Sequence, residues 1–536
     1  FFIRPRRFGK SIFLSMLRTY YDIAQKEKFE KRFSNLWIGS RPTQLQGTFQ
    51  ILFLDFSRVG GLDRTLAENF DDYCCGGLDD FASIYEPYYY PGFEEEMKAQ
   101  YGTTNKLNFL DRKARNNGSK LYLIVDEYDN FTNVVLNEQG DKVYHALTHA
   151  SGFYREIFKK FKGMFERIFM TGVSPVTLDD LTSGFNIGWN ISTDHQFNMM
   201  LGFSETDVRE MIQYYKDAGQ LPGNTNIDAM IEEMRPWYDN YCFAEESLER
   251  DPKMFNCDMV FYYLRHYMTL GKSPKEMIDP NTRTDYNKMK KLIRLDKLDG
   301  NRKGVLRKIT EDGQIVTTLT TTFPATDITK PEIFPSLLFY YGMLTINGTR
   351  GPMNILSIPN QTVREQLYGY MIDIYKDSSG LNLEVEKLNI LMYEMAYEGD
   401  WNPYFEYIVE RLNNQSSIRE FIEGEAHVKA FILAYLGLNS YYIARPEYES
   451  NKGYADIFLH PRLMQLPDMA YSYCIEVKYA KRDASDAEIK KLLSDAKTQL
   501  KQYAASEWIR HDKGTTELKC IALVFQGWKL VKVEEA

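Results

Sequence analysis

At 536 residues the chain is too long for one hydrophobic core and is expected to divide into three or four units of roughly 100–200 residues each. A composition of 44% hydrophobic and 26% charged residues excludes wholesale disorder and a disulfide-stapled miniprotein. With 65 Lys and Arg against 74 Asp and Glu the net charge is −9, so no global positive field attracts nucleic acid, and such a partner needs a local basic groove.

Residue 1 is Phe, and 1–3 read as the tail of a β-strand whose beginning is absent, so the chain is taken as a fragment. Up to about residue 220, strand-like runs at 1–3, 51–56, 121–125 and 168–170 alternate with amphipathic helices, the pattern of an α/β unit with a parallel sheet. The aromatic- and Gly-rich stretch 71–102 reads as an insertion or lid. From 221 to 382 the periodicity is mainly helical, with a Thr-rich strand expected at 317–322, which gives an α-rich linker domain. From 383 to 536 come helices, strands at 441–449, 454–459 and 473–479, a charged helix over 485–505 and a last strand at 520–525, a second α/β unit. Cys74, Cys75, Cys242, Cys257, Cys474 and Cys520 form no CxxC pair, which argues against zinc and disulfides and fits a reducing, cytoplasmic compartment. No apolar run approaches the roughly 18 residues of a membrane span, and no membrane partner is expected.

The segment Arg4-Pro-Arg-Arg-Phe-Gly9-Lys10-Ser11 lies where the first strand gives way to an amphipathic helix. Backbone N–H groups at a helix start and a lysine ammonium together cradle phosphates, and a hydroxyl such as that of Ser11 ligates Mg²⁺. Arg4 stands where the usual GxxxxGK[ST] pattern has its first glycine, so a basic helix cap is the competing reading. The apolar run Leu121-Tyr-Leu-Ile-Val ends in Asp126 and Glu127, where an NTPase places the acid of its Mg²⁺ shell and the acid that polarises the attacking water. A third strand ends in Thr171-Gly-Val-Ser174-Pro175; Thr171 is a candidate contact to the γ-phosphate or the water, although a Gly-Pro turn accounts for Thr171 and Ser174 individually.

In this order RPRRFGKS, LIVDEYDN, TGVSPVTLDDLTSGFN, LGFSETDV and WYDNYCF resemble an AAA-ATPase-like family found widely in gut and anaerobic bacteria and usually coupled to a C-terminal PD-(D/E)XK nuclease domain. The resemblance implies a P-loop NTPase fold for the first unit, a restriction-endonuclease-like fold for the last, and ATP binding at Gly9, Lys10, Ser11, Asp126 and Glu127. It also makes Arg4 a family trait.

Near the C-terminus Asp456 on one strand and Glu476 and Lys478 on the next bring two acids and a cation together, with Glu476 and Lys478 on one face by the period of 2. Carboxylates that hold Mg²⁺ or Mn²⁺ and a lysine that orients or deprotonates water are what phosphodiester hydrolysis needs, while an inter-strand salt bridge is the default for so loose a string. In a helix over 417–436, Glu425 falls on the apolar stripe and needs a partner, either a metal or an arginine such as Arg445. Gln499 and Tyr503 resemble the QxxxY motif of RecB-like members of the PD-(D/E)XK superfamily. Asp456 and Glu476 are the expected metal ligands, Lys478 the catalytic lysine and Glu425 an auxiliary ligand. Lys481, Arg482, Lys490, Lys491, Lys497 and Lys501 offer the local basic surface or else a solvated helix face. His427 and His460 lie nearby and read as structural.

The expected function is an ATP-controlled, metal-dependent nuclease, with DNA favoured over RNA and homo-oligomerisation left open. A non-nucleolytic ATP-dependent switch that binds nucleic acid or a protein is the alternative. A small-molecule kinase is disfavoured because it leaves the C-terminal acids idle.

Overall fold

The computed structural model describes residues 1–59, 65–129, 153–175, 188–250, 253–281, 302–323, 330, 332–379, 384–413, 424–437, 439–450 and 453–536. The end of the 171–186 motif and the start of the helix expected over 417–436, with Ile418, Phe421 and Ile422, lie outside them.

The first unit runs β1 (Phe2–Ile3), α1 (Lys10–Tyr21), β2 (Gln50–Asp55), α2 (Leu66–Tyr85), α3 (Gly102–Asn117), β3 (Leu121–Asp126), α4 (Phe153–Met164) and β4 (Arg167–Gly172). Its four strands are all parallel, in the order β1-β4-β3-β2. All six residues of β3 are buried, as expected of a parallel strand covered on both faces.

The stretch 71–102 is not a lid. Phe70, Cys74, Leu78, Phe81 and Tyr85 recur at helical spacing on α2 and are buried in the main core, and the helix starts from a Thr65–Glu68 capping box. Gly77 is the tell-tale, since a Cβ there would come within 2.9 Å of the Leu54 side chain on β2. Tyr89 closes the same core, stacking on Phe93 at 4.0 Å and donating to Gln50.

In the middle region α6 (Ile227–Tyr238) and α7 (Cys257–Leu270) share one apolar core with α5 (Glu205–Asp217), which ends the first unit, and α8 (Arg302–Asp312) and α9 (Gln361–Ser379) accompany an antiparallel sheet of β5 (Gln314–Thr317), β6 (Thr345–Arg350) and β7 (Met353–Ser357). The strand expected at 317–322 therefore ends where it was expected to begin. The ladder runs from Gln314 opposite Ser357 to Thr317 opposite Asn354, one residue short of the start of β7 at Met353, and threonine propensity without a partner strand makes no sheet.

The last unit contains α10 (Glu425–Leu436), β8 (Tyr442–Ser450), β9 (Gly453–Pro461), β10 (Tyr471–Ala480), α11 (Asp486–Ala504), α12 (Glu507–Asp512), β11 (Glu517–Gln526) and β12 (Lys529–Glu535). Its sheet is mixed, ordered β12-β11-β10-β9-β8, and only β10 and β11 are parallel, joined by α11. Tyr473, Ile475 and Val477 face the core shared with α10, whereas Cys474 faces Ala496 and Leu500 of α11. No described helix is long and apolar enough to cross a membrane.

Candidate functional site

Because β1 lies beside β4, and β4 beside β3, the loop that follows β1 is brought against the carboxyl ends of both other strands, the edge where open α/β sheets bind ligands. Gly9 ends that loop at φ 89°, a left-handed turn that suits glycine, and Lys10 opens α1. Ser11 Oγ donates to Asp126 Oδ2 at 2.7 Å, and Thr171 Oγ1 donates to Asp126 Oδ1 at 2.6 Å. Lys10 is 6% exposed, and its ammonium donates to the Arg4 and Pro5 carbonyls at 2.9 Å each. Burial draws its pKa down to about 8 against the pull of Glu127, Asp126 and Asp129. A hydroxyl already at hydrogen-bond distance from a carboxylate, with an ammonium at a helix start, is a donor set that fits a magnesium nucleotide.

Arg4 is no phosphate ligand here. Its guanidinium is buried between the Phe2 and Phe243 rings, 4.2 and 4.1 Å from their centroids, and donates to the carbonyls of Ile3, Ser192 and Phe197. The side chain at the first-glycine position thus ties the loop into the core. Asp129, which sequence reasoning passed over, accepts from the backbone N–H groups of Val173 and Ser174. Burial and then Glu127 raise its pKa to about 6. A second acid two residues after Glu127 was the available signal.

In the C-terminal sheet the ladder between β9 and β10 runs from Tyr473 opposite Leu459 to Ile475 opposite Ile457 and stops. The next backbone donors are taken by carboxylates: Val477 N–H donates to Asp456 Oδ2 at 2.8 Å and Asp456 N–H to Glu476 Oε2 at 3.4 Å. The sheet opens where the acids sit, and the acids replace its hydrogen bonds. Asp456 and Glu476 are 6% and 2% exposed, and Lys478 Nζ lies 2.7 Å from Glu476 Oε1. Burial, then Asp456, push the Glu476 carboxyl up to about 7.

Glu425 is the first residue of α10 and half-buried, held there by its place at the helix start rather than by an apolar stripe, since α10 is buried on nearly every side from Ala430 to Leu436. Its partner is not Arg445, which pairs with Asp512 at 3.0 Å, but Lys429 one turn on, at 3.4 Å. The same ammonium reaches Asp456 Oδ1 at 2.5 Å and Glu447 Oε1 at 3.3 Å. Lys429 and Glu447 were missed by sequence reasoning; the i,i+4 spacing from Glu425 was the signal for the first, and nothing in the string marks the second. The ammoniums stand between the acids, and among the described residues no three Asp, Glu, His or Cys side chains form a ready-made metal cage. The buried, mutually facing Asp456 and Glu476 with Glu425 and Glu447 beside them are nevertheless oxygen donors suited to a hard divalent cation.

Gln499 keeps its side-chain carbonyl oxygen buried without a hydrogen-bond donor among the described residues. Tyr503, on the same face of α11, lies against Gly453, where a Cβ would come within 3.2 Å of the ring, and burial followed by Glu476 and Asp456 raises its pKa to about 12. Of the expected basic surface, Lys497 pairs with Glu534 and Arg482 covers the Trp528 ring, which leaves Lys481, Lys490, Lys491 and Lys501 exposed. His460 is held neutral, its pKa drawn down to about 4 by burial and Arg445.

The family model of a predicted AAA-ATPase matches residues 1–182, and that of the PD-(D/E)XK nuclease superfamily matches residues 423–535. A relative described as an uncharacterized protein in the vnfD 5' region of Azotobacter chroococcum mcd 1 is 26% identical over 252 residues, which are 46% of this chain and 42% of that protein. The chain thus spans less than half the length of that relative. It carries an AAA-ATPase-like domain at its N-terminal end and a PD-(D/E)XK nuclease superfamily domain at its C-terminal end.

Proposed function

We propose that the chain is an ATPase coupled to a divalent-metal-dependent nuclease, with the three functional units at 1–220, 221–382 and 383–536. The observation that carries the nuclease half is the meeting of Asp456, Glu476 and Lys478 at the point where the β9–β10 ladder opens. Asp456 and Glu476 would hold Mg²⁺ or Mn²⁺, with Glu425 as an auxiliary ligand, and Lys478 would orient the attacking water. The bound ion would supply stabilisation of the charge that develops on the phosphate. In the first unit Gly9 and Lys10 would hold the nucleotide phosphates, Ser11 and Asp126 the Mg²⁺ shell, and Glu127 would polarise water, with Thr171 fixing Asp126. The substrate is nucleic acid, DNA in preference to RNA.

Control of one site by the other has a continuous route of contacts to act through. Arg7 in the phosphate loop pairs with Asp258 of α7 at 2.6 Å and donates to the Asn281 carbonyl. Arg462, directly after β9, donates to the Lys275 carbonyl and lies 4.9 Å from the Trp237 ring of α6.

The neutralising ammoniums of Lys429 and Lys478 favour a second reading, a switch whose C-terminal fold grips nucleic acid without cutting it. Cleavage and gel-shift of single- and double-stranded DNA and RNA, with Mg²⁺ or Mn²⁺ and with or without ATP, separate the two. Cleavage that disappears in Asp456→Ala and Lys478→Ala while ATP binding persists is the expected result. Binding without cleavage by wild type under every condition establishes the switch instead.

A further inference from the structure

Lys429 is fixed more firmly than a surface lysine. It projects from α10, whose neighbouring Val428, Ala430, Phe431 and Ile432 are all buried, and its own side chain is 16% exposed. Its ammonium lies 2.5 Å from Asp456 Oδ1, 3.3 Å from Glu447 Oε1 and 3.4 Å from Glu425 Oε1, so acids from α10, β8 and β9 converge on one cation. Glu447 reaches it from a backbone at φ 45°, a left-handed conformation that a non-glycine residue adopts at a cost of about 1 kcal/mol or more. Its chain neighbours Pro446 and Tyr448 pair with Ile457 and Ala455, which stations Glu447 across from Asp456. A strained acid aimed at a largely buried lysine is a built feature.

On the proposed nuclease reading, we propose that Lys429 is a positioning residue that stands where a second metal ion would otherwise stand, so that the C-terminal site takes one divalent cation and not two. The charges support this. Among the described residues the site gathers four acids, Glu425, Glu447, Asp456 and Glu476, and two ammoniums, Lys429 and Lys478, a balance of two negative charges. One divalent ion neutralises it. A second would leave two uncompensated positive charges beside the buried Asp456 and Glu476, where unpaired charge is disfavoured. The two lysines also divide the acids between them. Lys478 takes Glu476 Oε1, and Lys429 takes Asp456 Oδ1, while Asp456 Oδ2 and Glu476 Oε2 accept from backbone N–H groups, so each acid keeps one oxygen that no ammonium holds. Lys429 then holds Asp456 in its ligating orientation.

The test is Mn²⁺ binding to the nucleotide-free full chain, counted by electron paramagnetic resonance in wild type, Asp456→Ala, Lys429→Arg and Lys429→Met. Wild type and Lys429→Arg should each bind one ion that is lost in Asp456→Ala. Lys429→Met should take a second ion or hold the first at least about tenfold tighter, because one positive charge has left the cage. Two Asp456-dependent ions in wild type, or one in Lys429→Met at wild-type affinity, overturn the proposal while the nuclease reading stands. No Asp456-dependent ion in wild type removes both. Should Lys429→Met fail to fold, the wild-type count of one or two decides.

Discussion

Arg7, Glu127 and Glu447 share a property unusual for their side chains: each sits at positive φ, and each belongs to one of the two candidate sites, whereas Asn240 is the other described non-glycine residue in that conformation. Backbone strain of this kind persists where surrounding contacts impose it, and here those contacts are charged groups. At the first site Lys10 is a buried cation at the helix start where the phosphates are expected, so Lys10→Ala should abolish ATP–Mg²⁺ binding, whereas Glu127→Gln should retain binding and lose hydrolysis. Calorimetry and phosphate release check this pair, and equal loss of binding in both variants refutes the division of roles. At the second site the Glu476 carboxyl is raised from its ordinary 4.5 to about 7, first by burial and then by Asp456. Between those values the folded, metal-free chain keeps a proton that the unfolded chain has released, so stability falls as pH rises through this window, by roughly 1–3 kcal/mol. Urea midpoints in EDTA at pH 5.5 and 7.5 should show that loss in wild type and not in Glu476→Gln, which cannot ionise; an equal slope in both refutes it.

At the level of elements, the phosphate loop is held from outside by the middle region. A Cβ on Gly342, at φ 78°, would come within 2.7 Å of the Pro5 side chain, and the Pro5 carbonyl is one of the two that hold Lys10. Gly342→Ala should therefore weaken ATP binding and lower stability by about 1–3 kcal/mol. Gly118→Ala, at φ 66° with nothing within 4 Å of the added carbon, isolates the backbone cost and should leave ATP affinity unchanged. Matched losses of affinity in the two variants would falsify the steric account. The strands that carry the site residues were legible because their burial leaves a local trace: the unbroken run of β3 ending in two acids, or the alternation around Glu476 and Lys478. The failures occurred where the determinant is not local. The helical period of α2 was obscured by Gly76-Gly77, of which the Leu54 side chain on β2 explains Gly77, and the threonines after β5 have strand propensity but no strand beside them among the described residues. Strand β12 was passed over because its apolar residues are only half-buried, and Glu447 because its role depends on Lys429 from another element.

At the scale of the whole molecule, the proposed coupling requires a nucleotide bound after β1 to be felt at a sheet that begins some hundreds of residues later. Both ends of the middle region are fastened by charged groups, Arg7 to Asp258 on the nucleotide side and Arg462 to the Lys275 carbonyl on the other, with Gln465 reaching Glu233 of α6 beside it. Between them Tyr238 of α6 donates to the Met277 carbonyl, which ties α6 to the segment that follows α7. On that proposal Arg462 is the link to test, because it follows β9, the strand that carries Asp456, and is buried at 5% exposure against Trp237. A contiguous chain of contacts is a route for coupling only if both ends bias it, which a pair of variants at opposite ends can establish. Asp258→Asn and Arg462→Lys each keep the side-chain volume while loosening one fastening. Each should leave ATP affinity and nucleotide-free cleavage within about twofold of wild type, while the ratio of cleavage with ATP to cleavage without it moves to about one, a coupling that is typically about 1–3 kcal/mol. The double variant should do no more than either alone, since a route cut at one end carries nothing to the other. Additive losses in the double variant would show two independent influences, and an unchanged ratio in both single variants would place the coupling outside α6 and α7.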